Sequence, residues 1–297
     1  MQYFSKNNAV YTFNAAHPPK YEIVDGEVFW VEVEDAYRGQ ITDPSILRTD
    51  IDSTKTNWST GPIVVKDTKP GDVLCVEFLK FEFAPQGVMP TSIGMGLLGD
   101  LIDVPTTKIV PIRDGYAIFS DDIHLPLTPM AGVCAVAPEP GVDLRCIWPG
   151  VFGGNLDTTK IRPGAKLYLP VINEGANVFI GDFHACMGDG EVSGTAIETP
   201  GRALVRISVR RDCTIKNPVV EDEDGIYFLA SAPTLDEAVR LSVLDAIDYL
   251  MAKLSLNFQD AYRLFSAACN TQISQVVNPI KTARAHCPRF HEKIGLL

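Results

Sequence analysis

The chain has 297 residues, 46% of them hydrophobic and 21% charged. That composition excludes a disordered chain and gives enough length for one large domain or two small ones with a well-buried core. Acids outnumber bases by 37 to 26, and a net charge of −11 argues against nucleic-acid binding and against a polybasic membrane anchor. A small neutral or cationic ligand fits that balance better than a polyanion.

No apolar run is long enough for a membrane-spanning helix, and the first twenty residues lack the apolar stretch of a signal peptide. The seven cysteines are scattered and include no C-x-x-C pair. They are expected to be buried thiols in a reducing, cytoplasmic setting rather than a disulfide framework.

In chain order, the first three quarters predict strands and turns. Residues 27–34 (EVFWVEVE) follow the turn Asp25-Gly26, and residues 72–83 (DVLCVEFLKFEF) follow Pro70-Gly71. Residues 165–180 predict a hairpin folding at Glu174-Gly175. Residues 203–210 (ALVRISVR) alternate as a half-buried strand does. Near residue 233 the character changes. Thr234 and Glu237 form a capping box, and Leu241, Leu244, Ile247 or Asp248, and Met251 then recur at helical spacing. A second helix is expected from Asn257, with Asp260 in its first turn and an apolar face of Ala261, Leu264, Phe265 and Ala268. Pro279 and Pro288 break the chain beyond it. The fold expected is α+β: a β-rich body of mixed sheets, sandwich or barrel, over residues 1–230. A C-terminal helical hairpin over residues 231–297 packs on it, all within one domain.

No G-x-S-x-G elbow, phosphate loop or H-E-x-x-H helix is present, and Gly94-Met95-Gly96 misses the dinucleotide spacing. Polar residues instead crowd between 149 and 198: Asn155, Asp157, Asp182, His184, Asp189, Glu191 and Glu198, with Gly153, Gly154, Gly181, Gly188 and Gly190 beside them. Asp182 and His184, two apart, share a face if they lie on a strand, which suits a common metal ion. Imidazole with carboxylates suits zinc, and carboxylates with carbonyls suit calcium or magnesium. Each feature also has a plainer reading. Asp157 could cap a turn through Thr158 and Thr159, Gly188-Asp189-Gly190 could be a simple turn, and His17, His286 and His291 are expected to be solvated. His124 is open between the two.

The same stretch resembles the acetamidase/formamidase family. Its pattern G-G-N-x-D is matched by Gly153 to Asp157, and L-Y-x-P-V by Leu167 to Val171. The pattern G-D-x-H-x-x-Q-G-D-G-E is matched by Gly181 to Glu191, and A-I-E by Ala196 to Glu198. Thr60-Gly61-Pro62-Ile63, Pro70 to Leu74, Pro129 to Val133 and the tail Ile273 to Pro279 fit as well. One departure is Met187, which stands where the pattern has glutamine.

The resemblance implies hydrolysis of short-chain amides such as formamide or acetamide, with homo-oligomeric assembly. It points to a divalent metal, zinc or calcium, held by Asp182 and His184 with Asp157 and Glu198 nearby. It makes Glu191, then Asp35, the candidate base beside the catalytic His184. Asn155, Met187, Gly153 and Gly154 become candidate substrate contacts. A covalent route through Cys186, a lactam substrate, and a non-catalytic amide-binding role are the alternatives.

Overall fold

A computed structural model describes residues 1–295. Two large sheets and a helical layer organise it. The larger sheet has nine strands. In spatial order they are Gln2–Phe4, Glu27–Val33, Gly201–Arg210, Val73–Phe83, Lys166–Pro170, Val219–Asp222, Gly225–Ala232, Lys281–Pro288 and Asn270–Gln275. The second, seven-stranded sheet has Met130–Ala135, Val178–His184 and Ser59–Val65 at its middle. Four strands between Gln86 and Pro126 make a smaller sheet. Among the described residues no helix is long and apolar enough to cross a membrane.

The alternation read in the sequence decides which face each strand buries. Along Gly201–Arg210, Ala203, Val205, Ile207 and Val209 point inward. They join Phe29, Val31, Leu74 and Val76 of the same sheet against Ile63, Ala131, Val133, Phe179 and Ile180 of the other, forming the main core. Strand Lys166–Pro170 serves both sides of its sheet. Leu167 and Leu169 enter that core, while Tyr168 turns to the opposite face and meets the helices.

The segment 165–180 is not the expected hairpin. Its two strands belong to different sheets, and the turn at Glu174-Gly175 carries the chain across. Gly175 has φ +74°, and backbone bonds Gly175 N–H to Thr68 O and Val65 N–H to Gly175 O anchor the crossing. Both strands are buried on both faces at their centres, so each fits between layers rather than at a hairpin edge.

Helix α1 (Leu235–Leu254) starts where the capping box places it, the Thr234 hydroxyl accepting from Glu237 N–H at 3.2 Å. Helix α2 (Phe258–Ala268) is capped by Asn257, whose side chain accepts from Asp260 N–H. The buried face of α1 differs from the one expected. It runs through Ala238, Ser242, Ala246, Ile247, Tyr249 and Leu250, and Leu244 is exposed. Small residues let the helix lie close to the sheet, so leucine spacing alone misplaces the face by part of a turn.

The stretch after α2 is not helical. Asn270–Gln275 and Lys281–Pro288 form an antiparallel pair that closes the nine-stranded sheet. This pairing also buries His286, expected in solvent, flat against Tyr227 with ring centroids 4.2 Å apart.

Candidate active site

Strand Val178–His184 sits in the middle of the second sheet and is buried throughout. Its last residues present Asp182 and His184, and their side chains converge: His184 Nε2 lies 3.4 Å from Asp182 Oδ1. The shared face expected from their spacing is reached with Asp182 in the left-handed region, at φ +55°. Gly132, across the sheet, gives the room. A Cβ there would meet Asp157 Oδ1 at 2.5 Å and Asp182 Oδ2 at 2.7 Å.

Glu198 arrives from the other side. Its backbone is bonded in both directions to Val88, and Thr199 N–H and Ile197 O bond to Phe183 O and Ala185 N–H around His184. The Glu198 carboxylate is split in use. Oε1 accepts from Ala196 N–H and the Thr195 hydroxyl, and Oε2 is left 3.3 Å from His184 Nε2. Tyr37 donates to the Thr195 hydroxyl from behind at 3.1 Å.

Asp157 and Glu191 complete the cluster. Asp157, Glu191 and His184 offer ligand atoms within 4.8 Å of one another, as do Asp182, His184 and Glu198. Asp157 and Glu191 also have positive φ, +39° and +47°. Three of the four carboxylates thus sit on backbone that side chains rarely adopt, which is a mark of functional sites.

The C-terminal hairpin holds both residues in place. Gly190 N–H donates to Ser274 O and Gly190 O accepts from Val276 N–H. Asn278 Nδ2 donates to Asp157 Oδ2 at 2.6 Å and to Asn155 O at 3.0 Å. Arg284, buried behind the loop, reaches Asp189, Thr158, Ser274 and Gln272.

All five cluster side chains are buried, none more than 8% exposed. Yet Asp157 Oδ1, Asp182 Oδ1, Glu198 Oε2 and both ring nitrogens of His184 have no hydrogen-bond partner. Burial and the neighbouring Asp182 push Asp157 up to about 6, and burial with Glu198 does the same to Asp182. Glu191 is raised well above the usual carboxylate range by burial and by Asp157. Burial alone would lower the His184 imidazole, but Glu198 and Asp182 outweigh it and hold the ring well above its ordinary range. So many unpaired acceptors around one imidazole make a poor structural core. As a donor set for a divalent cation they fit well, since one positive centre satisfies all of them.

The other candidate residues fall elsewhere. Asp35 is buried, and burial pushes it up to about 6, but its Oδ1 accepts from Tyr37 and Gly39 N–H groups. It shapes the turn that carries Tyr37 and stands outside the two ligand groups. Gly153 and Gly154, both at positive φ, serve close backbone packing: a Cβ would collide with Cys134 O at the first and with Trp148 O at the second. Asn155 faces the cleft above the cluster, with its Oδ1 buried and unpartnered. Met187 lines a separate cavity of about 420 Å³, mostly apolar, with Met89, Phe119 and Leu125. Glu191 borders both spaces. Cys186 lines the apolar cavity too, where its thiol donates to Pro126 O at 3.3 Å. Burial raises its pKa, and the His184 ring makes no hydrogen bond to it, so no base activates this thiol. His124 is exposed.

Asn278, Thr195, Tyr37 and Gly132 do not stand out in the sequence. Asn278 and Gly132 do lie inside the tail and P-M-x-G-x motifs, and that is the one signal available for them.

Comparison with known proteins identifies the family. The family model described as Acetamidase/Formamidase matches residues 4–143 and 141–288. A formamidase of Methylophilus methylotrophus is 24% identical, over 77% of this chain and 73% of its own. The crystal structure of an acetamidase from Bacillus halodurans superposes with a TM-score of 0.96 at 35% identity, covering 99% of this chain and 100% of that one. A predicted acetamidase/formamidase from the thermophile Thermoanaerobacter tengcongensis gives 0.94 at 40% identity, over 98% and 96%. The chain belongs to the acetamidase/formamidase family and is an amide hydrolase of that family.

Proposed function

We propose that this chain is a metal-dependent amidase that hydrolyses small carboxamides to a carboxylate and ammonia. One observation carries the reading. Four buried carboxylates surround one buried imidazole, and Asp157 Oδ1, Asp182 Oδ1, Glu198 Oε2 and both imidazole nitrogens have no hydrogen-bond partner. Asp182, His184 and Glu198 are the proposed ligands, with Asp157 beside them; zinc suits the imidazole and calcium the oxygens. A bound divalent cation would polarise the amide carbonyl and make water acidic enough to react at neutral pH.

The protein's own groups do the rest. Asn278 fixes Asp157, while Thr195 and Ala196 fix one oxygen of Glu198 and so aim the other. Glu191, a member of the buried cluster, takes the proton of the attacking water and returns it to the departing nitrogen. Asn155 lines the cleft, and its unpartnered Oδ1 accepts from the substrate NH₂ group in this reading. Water adds to the carbonyl carbon, and the C–N bond then breaks as the departing nitrogen receives the proton.

The seven free cysteines accord with a reducing compartment. Homo-oligomerisation is supported by an exposed apolar loop beside the site, with Ile93, Leu97, Leu98, Leu101 and Val104 each more than half exposed.

The test is His184→Ala. It is expected to lose bound metal and ammonia release together while keeping its fold by circular dichroism. Full activity with unchanged metal content would sink the assignment.

A further inference from the structure

The cleft above the cluster has a volume of about 400 Å³. A water molecule occupies about 30 Å³ in the liquid, so the cleft has room for about a dozen. The four heavy atoms of acetamide would fill a small part of it. Something larger than the simplest amides fits this space.

The charges lining the cleft say what. Its only acids are Asp182, Glu191 and Glu198, all members of the buried cluster at its floor. Its other charged lining residues are Arg48 and Arg145. The lining thus carries two bases against three acids, in a chain with 26 bases against 37 acids.

Neither arginine is there to balance the floor. Among the described residues, neither makes an ion pair with a carboxylate. Arg145 Nη2 donates to Ser53 O at 3.0 Å, one bond from a fork with five donors. Arg48 Nε is buried with no partner at all. A buried guanidinium nitrogen left unsatisfied is unfavourable unless a ligand completes it. A carboxylate is the group that matches the guanidinium fork.

We infer that the preferred substrate is a small amide bearing a carboxylate a few bonds from the scissile carbonyl, a half-amide of a dicarboxylic acid, bound through Arg48 and Arg145. The inference rests on the amidase reading above. The reaction is the same hydrolysis: water adds to the amide carbon, the C–N bond breaks, and a dicarboxylate and ammonia leave. Asn155 and Glu191 address the amide end, and the arginines hold the distal carboxylate.

The test compares succinamate with 4-methylpentanamide, in which an isopropyl group replaces the carboxylate at equal heavy-atom count. Ammonia release is measured on metal-loaded protein, with acetamide as reference. The expected result is a kcat/KM ratio of at least about tenfold in favour of succinamate, carried by KM and shrinking as ionic strength rises. Arg48→Ala should cut that ratio about tenfold, and Arg48→Lys should restore part of it, because charge returns without the fork.

Equal or better turnover of 4-methylpentanamide would overturn the inference and place the acyl group in the apolar cavity around Met187. An equal loss on both substrates in Arg48→Ala would overturn it too. Turnover without preference contradicts this inference alone. Silence on every amide, acetamide included, contradicts the amidase reading beneath it.

Discussion

Two charged regions lie side by side in this molecule and are built in opposite ways. Arg284 is 1% exposed, and each of its three guanidinium nitrogens is used, by Gln272, by Thr158 and Ser274, and by Asp189. Two residues from Asp189 stands Glu191, and next to Thr158 stands Asp157. There the pattern inverts: Asp157 Oδ1, Asp182 Oδ1, Glu198 Oε2 and His184 keep buried atoms without partners. The same backbone serves both. The difference teaches that the satisfied network is the frame and the unsatisfied cluster is what the frame holds open. Folding stability is concentrated in the first and reactivity in the second.

Four substitutions would break or sharpen that contrast. The largest effect is expected at Glu191→Gln, which removes a proton carrier while leaving the shape. Ammonia release should fall by about 10²–10⁴ with metal content retained, unlike His184→Ala, which loses both. Retention of more than half the activity would remove Glu191 from the chemistry.

Next is Arg284→Met, in the frame. It strips donors from Thr158, Ser274 and Gln272 at once, and denaturant unfolding should show a loss of about 3 kcal/mol. A loss under about 0.5 kcal/mol would mean the network is ornamental.

Third, Asp182→Asn removes a buried charge from the cluster at a left-handed position that asparagine tolerates. Metal-free protein should become more stable by about 1 kcal/mol while activity is lost. Destabilisation instead would class Asp182 with the frame.

The smallest effect is expected at Cys186→Ser. Its thiol lies in the apolar cavity with no base against it, so turnover should stay within about twofold. Abolished turnover with an intact fold would revive the covalent route.

Much of the body is legible because its strands obey a two-residue alternation. Gly201–Arg210 is the plainest case, and the caps at Thr234 and Asn257 mark both helices. Which sheet a strand joins is not legible. Lys166–Pro170 and Val178–His184 are buried on both faces at their centres, so alternation says nothing about their partners. The α1 face escapes leucine spacing because Ala238, Ser242 and Ala246 bury by being small rather than by being greasy.

In the site, Asp157, Asp182, His184, Glu191 and Glu198 stand out by type and spacing, and the structure brings all five together. Asn278 comes from 80 residues beyond Glu198, and only the tertiary pairing of the tail hairpin with the Gly190 loop delivers it. Gly153 and Gly154 carry the family motif, and at both a Cβ would collide with neighbouring backbone.

The most direct test of the central claim is ammonia release from acetamide with metal content measured in the same samples, before chelation, after it, and after adding zinc or calcium back. The account predicts that activity falls in proportion to the metal removed and returns with it. Undiminished release by chelated protein with no measurable metal would contradict it.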